Sequence, residues 1–200
     1  MTDLNDAVVL ITGASGGFGR QMTRQFLAAG SRVLLTDIDA ASLDSLTAEY
    51  QTDAGQILGS IAADLVDDNG CRKLFDDVQA LNCSPDILIN NAGIGVGGRF
   101  DHVPSDRWEQ VLQVNLLAPM RICYLFLPQM IERGSGHIVN ISSLAGWIGS
   151  RRGSWTISPS MATAMSACSG SRSPGKRASR AATSSRKFRA SITTRSRPPV

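Results

Sequence analysis

The chain has 200 residues, of which 42% are hydrophobic, and its formal net charge is +3. This length and composition are typical of one globular domain with a sizeable core. The segment before the first apolar run has only six residues and is acidic, so we expect no signal peptide. No apolar stretch reaches the roughly 18 residues that a membrane helix needs.

Predicted strands and helices alternate over the first three quarters of the chain. Residues 7–12 form a continuous apolar run, which is typical of a strand buried on both faces. Further strands are predicted at 33–37, 57–64, 87–89 and 137–142. Between the strands, apolar residues at helical spacing predict three helices, each with a buried face. Their buried faces contain Phe18, Met22, Phe26 and Leu27 in the first, Leu43, Leu46 and Tyr50 in the second, and Cys71, Leu74, Phe75 and Val78 in the third. Residues 105–132 are predicted to be mostly helical. This alternation predicts an α/β fold with a parallel sheet.

A glycine-rich loop, Thr12-Gly13-Ala14-Ser15-Gly16-Gly17-Phe18-Gly19, joins the first strand to the first helix. Glycines there let the backbone approach a pyrophosphate, and the helix N-terminus offers its dipole and free N–H groups. An ordinary turn also uses glycine, but the strand-loop-helix context favours a dinucleotide site. We therefore predict that the cofactor contacts Gly13, Ser15, Gly17, Phe18 and Gly19.

Two acidic residues follow predicted strands. Asp37 ends the second strand, where its carboxylate can accept hydrogen bonds from a ribose diol and repel a 2′-phosphate, so we predict NAD in preference to NADP. The alternative for Asp37 is a solvated turn residue. Asp64 and Leu65 end the third strand, where a carboxylate can meet the adenine amino group.

The motifs taken together resemble the classical short-chain dehydrogenase/reductase family over residues 7 to about 150. The matching segments are Thr12-Gly-x3-Gly-x-Gly19, Asn90-Asn91-Ala92-Gly93, Asn115 in Val-Asn-Leu-Leu, and Ile138-Val-Asn-Ile-Ser-Ser143. The resemblance implies a Rossmann-type doubly wound parallel sheet. It also implies cofactor contacts at Asn91, Ala92 and Gly93, and hydride transfer between NAD(H) and a small alcohol or carbonyl substrate.

The resemblance also implies two catalytic residues. Ser143 would hydrogen-bond the substrate oxygen and stabilise charge as the hydride moves. Asn115 matches the family's catalytic asparagine, whose carbonyl holds a water. Pro119 supports this assignment independently, because it lies four residues later and has no N–H to donate to that carbonyl.

The family's remaining catalytic pair, Tyr-x-x-x-Lys, is not found. Its best match places Trp155 in the tyrosine position and Pro159 in the lysine position. The sixth and seventh strands and the dimer-forming helices are not recognisable either. We therefore expect a sheet truncated after the fifth strand, impaired catalysis and no family-type homo-oligomer.

The charge is unevenly distributed. Residues 151–200 contain nine Arg, two Lys and no acidic residue, a charge of +11, which leaves −8 for residues 1–150. They also contain twelve Ser and only four residues among Ile, Leu, Val and Phe, too few to form a core. We predict a dinucleotide-binding domain at 1–150 and a basic Arg/Ser-rich tail at 151–200, either disordered or translated out of frame. Read across codons after Ser158, the shifted frame can encode Ser-Lys-His-Gly, which resembles the family's segment at this place.

Three functions remain open at this point. The chain is an NAD-dependent oxidoreductase, a dinucleotide-binding protein without catalysis, or a nucleic-acid-binding protein that uses its basic tail. The tail brings few aromatic residues for base stacking, which disfavours the third. The cysteines, Cys71, Cys83, Cys123 and Cys168, show no CxxC or metal spacing. We therefore expect reduced thiols, no metal, no membrane partner and a cytoplasmic location.

Overall fold

The computed structural model describes residues 3–50, 56–97 and 100–142. Five parallel strands form one sheet in the order β3-β2-β1-β4-β5. They are β1 (Val8–Thr12), β2 (Arg32–Asp37), β3 (Gln56–Ala62), β4 (Ile87–Asn90) and β5 (His137–Asn140). The strand order reverses at β1, so a crevice opens beyond the carboxyl ends of β1 and β4. The predicted Rossmann-type α/β fold is confirmed, and β5 is the last strand within these residues.

Helices cover both faces of the sheet. Alternate residues of β1 point to opposite faces, and since all of them are apolar or buried, each face needs a layer of helices. Val9 and Ile11 pack in one apolar cluster with residues of α1 (Gly17–Ala28) and α2 (Ala40–Glu49). Val8 and Leu10 pack in the other cluster with residues of α3 (Asp68–Ala80) and α5 (Ala118–Arg133). β1 is buried along its whole length, as the apolar run predicts. The two clusters form a core on each side of the sheet.

Helix α4 (Ser105–Leu112) continues into α5 through one wider turn, Gln113–Leu117, with i to i+5 hydrogen bonds. The continuous run Ser105–Arg133 has 29 residues and is apolar and long enough to cross a membrane, by length and composition only. This differs from the expectation that no stretch is long enough. A core helix of a soluble protein passes the same test, and here Ala118, Ile122, Phe126 and Met130 are buried in the core.

Three local predictions are wrong. Phe18 is 77% exposed and does not share the buried face of α1, because it lies in the first turn, beside the open crevice. β3 ends at Ala62 and not at Asp64, and β5 ends at Asn140 and not at residue 142. The last two errors have one cause. An apolar residue, Ala63 or Ile141, directly follows the strand, and its N–H still donates to the neighbouring strand at 2.9 Å, so the pattern runs past the last regularly paired residue.

Candidate functional site

A groove of about 380 Å³ lies beyond the carboxyl ends of β1, β2, β3 and β4. Segments that are far apart in the chain meet there. Its walls are the glycine-rich loop, the residues that follow β2 and β3, and the turn after β4. The lining residues are Gly13, Ser15, Gly16, Gly17, Phe18, Asp37, Ile38, Ala63, Leu65, Asn91, Ala92, Gly93 and Ile94.

Thr12 and Asn91 fasten the glycine-rich loop to the turn after β4. The Thr12 hydroxyl accepts hydrogen bonds from the backbone N–H groups of Asn91 and Ala92, both at 2.9 Å. In return, Asn91 Nδ2 donates to the carbonyls of Thr12 and Gly13, at 2.9 and 3.0 Å. The side chain of Asn91 is therefore a positioning group, and what it offers to the groove is mainly its backbone.

The glycines of the loop serve different purposes. Gly13 has φ +64°, and a Cβ there would lie 2.8 Å from the Cα of Ala92. A Cβ on Gly19 would lie 2.1 Å from the carbonyl oxygen of Gly13. A Cβ on Gly17 would meet nothing within 4 Å, so its missing side chain leaves space in the groove itself. The first two glycines close the loop, and the third keeps it accessible.

The N-terminus of α1 faces this open space without a compensating group. No side chain caps it, and its first turn holds no acidic residue. The unsatisfied N–H groups and the helix dipole therefore present partial positive charge beside Gly17. Close backbone approach and free N–H donors are what the diphosphate of a dinucleotide requires, so the residues present fit such a cofactor.

Asp37 is held in a defined position at the groove. Its Oδ2 accepts hydrogen bonds from the backbone N–H of Ser15 at 3.0 Å and from the Ser15 hydroxyl at 2.5 Å. Its Oδ1 accepts from the N–H of Ile38 at 2.8 Å. These contacts are specific, so Asp37 is more than a solvated turn residue.

Asn115 is buried, with 5% of its surface exposed, in the wide turn between α4 and α5. Its Oδ1 accepts from the N–H of Ile94 at 2.8 Å, and its Nδ2 donates to the carbonyl of Ile94 at 2.7 Å. This reciprocal pair fixes the chain where it leaves the Asn-Asn-Ala-Gly turn. The absence of an N–H on Pro119 explains why regular α-helical bonding cannot continue here.

The structure brings together nine of the eleven residues predicted to contact a cofactor. Gly19 lies behind the loop and closes it. Asp64 is exposed, and its Oδ1 accepts from the N–H of Val66 at 3.0 Å, so it caps its own turn outside the lining. The cofactor-binding roles themselves stay predictions. Ser143, Trp155, Pro159 and the tail lie outside the described residues.

Sequence reasoning missed four lining residues, namely Gly16, Ile38, Ala63 and Ile94. Ile38 directly follows Asp37, and Ala63 directly precedes Asp64. The rule that ligands bind beyond the carboxyl ends of parallel strands would have included both.

Among the described residues, no cysteine lines the groove. Burial raises the pKa of Cys71 to about 11, and burial also raises the pKa of Cys123. Thiols of this kind are protonated and unreactive at neutral pH. Within the described ranges, no cluster of three or more His, Cys, Asp or Glu side chains could hold a metal ion.

Sequence comparison identifies the family. The sequence model for short chain dehydrogenase matches residues 7–155. The chain belongs to the short-chain dehydrogenase family. The predicted resemblance is confirmed, and with it the binding of a nicotinamide dinucleotide, NAD or NADP, as a property of the family.

Related short-chain dehydrogenases include a probable oxidoreductase, EphD, of Mycobacterium bovis. It is 37% identical over 143 residues, which are 71% of this chain and 24% of the relative. The short chain dehydrogenase/reductase dpchG of Colletotrichum higginsianum is 37% identical over 155 residues, 74% of this chain and 57% of the relative. The protein dpmpG of Macrophomina phaseolina is 36% identical over 159 residues, 75% of this chain and 89% of the relative. The chain thus spans less than two thirds of the first two relatives.

Solved short-chain dehydrogenases have the same fold. A metagenomic short-chain oxidoreductase in complex with NADP superposes with a TM-score of 0.68 at 35% identity, covering 74% of this chain and 67% of that one. An NAD⁺-bound xylitol dehydrogenase also has a TM-score of 0.68, at 27% identity, covering 74% and 57%. Both cofactors therefore occur among the structural relatives.

Proposed function

We propose that this chain binds NAD(H) in the groove and that it descends from oxidoreductases that transfer hydride between NAD(H) and a small alcohol or carbonyl compound. The observation that carries the proposal is the Asp37 carboxylate, fixed by Ser15 at the carboxyl end of β2. A fixed carboxylate accepts a hydrogen bond from a hydroxyl group of an adenosine ribose. It repels the additional phosphate of NADP.

A second carboxylate lies close by in sequence. Asp39 caps α2, accepting from the N–H groups of Ala41 and Ser42. Hydrogen bonds from the Ser42 side chain and backbone lower the pKa of Asp39, so this group is ionised at neutral pH. Two negative charges within three residues favour a cofactor without a 2′-phosphate.

The bound cofactor would supply or accept the hydride at its nicotinamide ring. The protein's described contribution is positional. Asn115 fixes Ile94, and Thr12 fixes the turn before it, so the groove keeps its shape while the cofactor enters. Ser143, from the family resemblance, is proposed to hydrogen-bond the oxygen of the alcohol or carbonyl substrate.

A second candidate function is dinucleotide binding without turnover. Trp155 and Pro159 stand where the family places its tyrosine and lysine, and neither side chain can donate or accept a proton at neutral pH. Cofactor binding requires only the described groove, whereas catalysis needs a proton donor. A cytoplasmic location stays a prediction.

The test of NAD(H) binding is calorimetric titration of the whole chain with NADH and NADPH. We expect tighter binding of NADH. Asp37→Asn should narrow the difference in Kd by about tenfold, since about 1.4 kcal/mol of discrimination corresponds to that factor. The exposed Asp44→Asn on α2 is the matched control and should leave both Kd values unchanged. Tighter binding of NADPH would overturn the cofactor assignment, and binding of neither would overturn the proposed function.

A further inference from the structure

Arg20 connects the glycine-rich loop to α2, yet it does not line the groove. Its Nε donates to the carbonyl of Ser15 at 3.0 Å, and one terminal nitrogen donates to Glu49 Oε2, also at 3.0 Å. The Arg20 side chain is 34% exposed and that of Glu49 is 51% exposed. One guanidinium therefore holds the residue that in turn holds Asp37.

The hydrogen bonds from Ser15 determine what the site can accept. A carboxylate has about four acceptor positions, and Ser15 and Ile38 together occupy three of those on Asp37. Since the Ser15 hydroxyl donates its proton to Asp37, that hydroxyl can only accept a further hydrogen bond. Both groups therefore suit a hydroxyl donor such as a ribose diol. Neither can donate a hydrogen bond to a phosphate oxygen.

We propose that Arg20 is a positioning residue that sets the cofactor preference of the groove by holding Ser15 against Asp37, with Glu49 fixing the guanidinium. The inference rests on the proposed NAD(H) function and extends it to two residues outside the groove. If Ser15 moves, the Asp37 carboxylate loses two of its three donors and becomes mobile. A mobile carboxylate binds a diol less well and turns away more easily from a 2′-phosphate.

Arg20→Lys isolates geometry from charge. Lysine keeps the positive charge, but its single ammonium cannot reproduce the planar fork that reaches Ser15 and Glu49 together. The matched control is Arg24→Lys, one turn further along α1 and exposed. We expect Arg20→Lys to raise the Kd for NADH. It should also reduce the ratio of the NADPH and NADH Kd values by about three- to tenfold, a change of the size of one ordinary hydrogen bond. Glu49→Gln should move the ratio in the same direction, and Arg24→Lys should not.

A readout without cofactor tests the same link independently. The backbone N–H of Ser15 is donated to Asp37, so its hydrogen exchange reports whether that contact is held. In Arg20→Lys it should exchange at least about fivefold faster than in wild type and in Arg24→Lys, because the contact opens more often. An unchanged exchange rate at Ser15 would overturn the inference about Arg20, whether or not wild type binds a cofactor. Failure of wild type to bind either cofactor would by itself refute only the proposed NAD(H) function.

Two binding outcomes would also overturn it. If the ratio of the NADPH and NADH Kd values were the same in Arg20→Lys and in the Arg24→Lys control, the contact of Arg20 with Ser15 would not affect the cofactor preference. A larger rise in the Kd for NADPH than in the Kd for NADH would show that Arg20 acts as a phosphate ligand. Faster exchange at Ser15 together with a smaller ratio is the result that supports Arg20 as a positioning residue.

Discussion

Two glycines of the same loop should respond in opposite ways to one added methyl group. In Gly19→Ala the new Cβ would lie 2.1 Å from the carbonyl oxygen of Gly13 and 2.6 Å from that of Ala14. Real Cβ contacts are not found below 3.0 Å, so the backbone must move by about 3.0 − 2.1 = 0.9 Å. Overpacking costs about 1–3 kcal/mol, and the upper end applies here because both obstacles are backbone atoms.

Gly17→Ala is the matched variant. Its Cβ meets nothing within 4 Å, and alanine in a helix is favoured over glycine by about 0.5–1 kcal/mol. Gly17 and Gly19 both lie in α1, so the helix preference applies to both variants and cancels. Their free energies of unfolding should therefore differ by the overpacking cost, about 3 kcal/mol at its upper end. With an m-value of about 1–3 kcal/mol/M, urea midpoints should differ by at least about 1 M.

Cofactor titration completes the comparison. The methyl of Gly17→Ala occupies the space where the loop must approach the pyrophosphate. This variant should therefore bind NADH about tenfold more weakly while being at least as stable as wild type. Equal urea midpoints for the two variants would refute the packing argument. Unchanged NADH binding by Gly17→Ala would refute the placement of the diphosphate at the N-terminus of α1.

Two further predictions concern buried groups. Asn115→Ala leaves the backbone N–H and carbonyl of Ile94 without their side-chain partners. The free energy of unfolding, measured in urea, should therefore fall by about 2–3 kcal/mol. The exposed Gln110→Ala is the control, and an equal loss of stability in the two variants would contradict this prediction. Burial raises the pKa of Cys71 from 9.0 to about 11, so the unfolded chain ionises first and stability should fall as the pH rises from 9 towards 11. In Cys71→Ala the free energy of unfolding should fall less steeply with pH than in wild type, whereas Cys83→Ala should behave as wild type. Equal slopes for wild type and Cys71→Ala, from urea titrations between about pH 9 and 11, would contradict the prediction.

The fold could be predicted because its patterns are local. The apolar run of β1 and the helical spacing of Cys71, Leu74 and Val78 both mark buried faces, and the structure buries them. Alternation of such segments determines a parallel sheet. Phe18 shows the limit of this reasoning, since helical spacing gives a face of the helix but does not show that the first turn borders an open groove.

The candidate site was predicted less completely, because its contacts join distant segments. Ser15 and Asp37 are 22 residues apart, and Ile94 and Asn115 are 21 apart. Motifs identify such residues singly and do not show which of them bind each other. Pro119 was a local sign of the irregular turn, because it has no N–H to donate to the carbonyl of Asn115, but it did not reveal the side-chain pair with Ile94.

The last prediction is that the chain binds cofactor without rapid turnover. Proton transfer by a general acid or base typically contributes about 10²–10⁴-fold to the rate, and by resemblance the residues that should supply it are replaced by Trp155 and Pro159. We expect NADH-dependent reduction of a panel of carbonyl compounds to be slower by about that factor than in a restored chain. The restored chain carries Trp155→Tyr and reads the shifted codon frame after Ser158, which gives the spacing Tyr-x-x-x-Lys.

A shifted-frame chain that keeps Trp155 separates the proton donor from the rest of the restored segment. It should bind NADH as the restored chain does, because the described groove is the same in both, but it should remain slow because the tyrosine hydroxyl is missing. Turnover by the 200-residue chain that equals turnover by the restored chain would contradict the prediction. In that case a residue of 151–200 transfers the proton, and dinucleotide binding without catalysis would no longer be a candidate function.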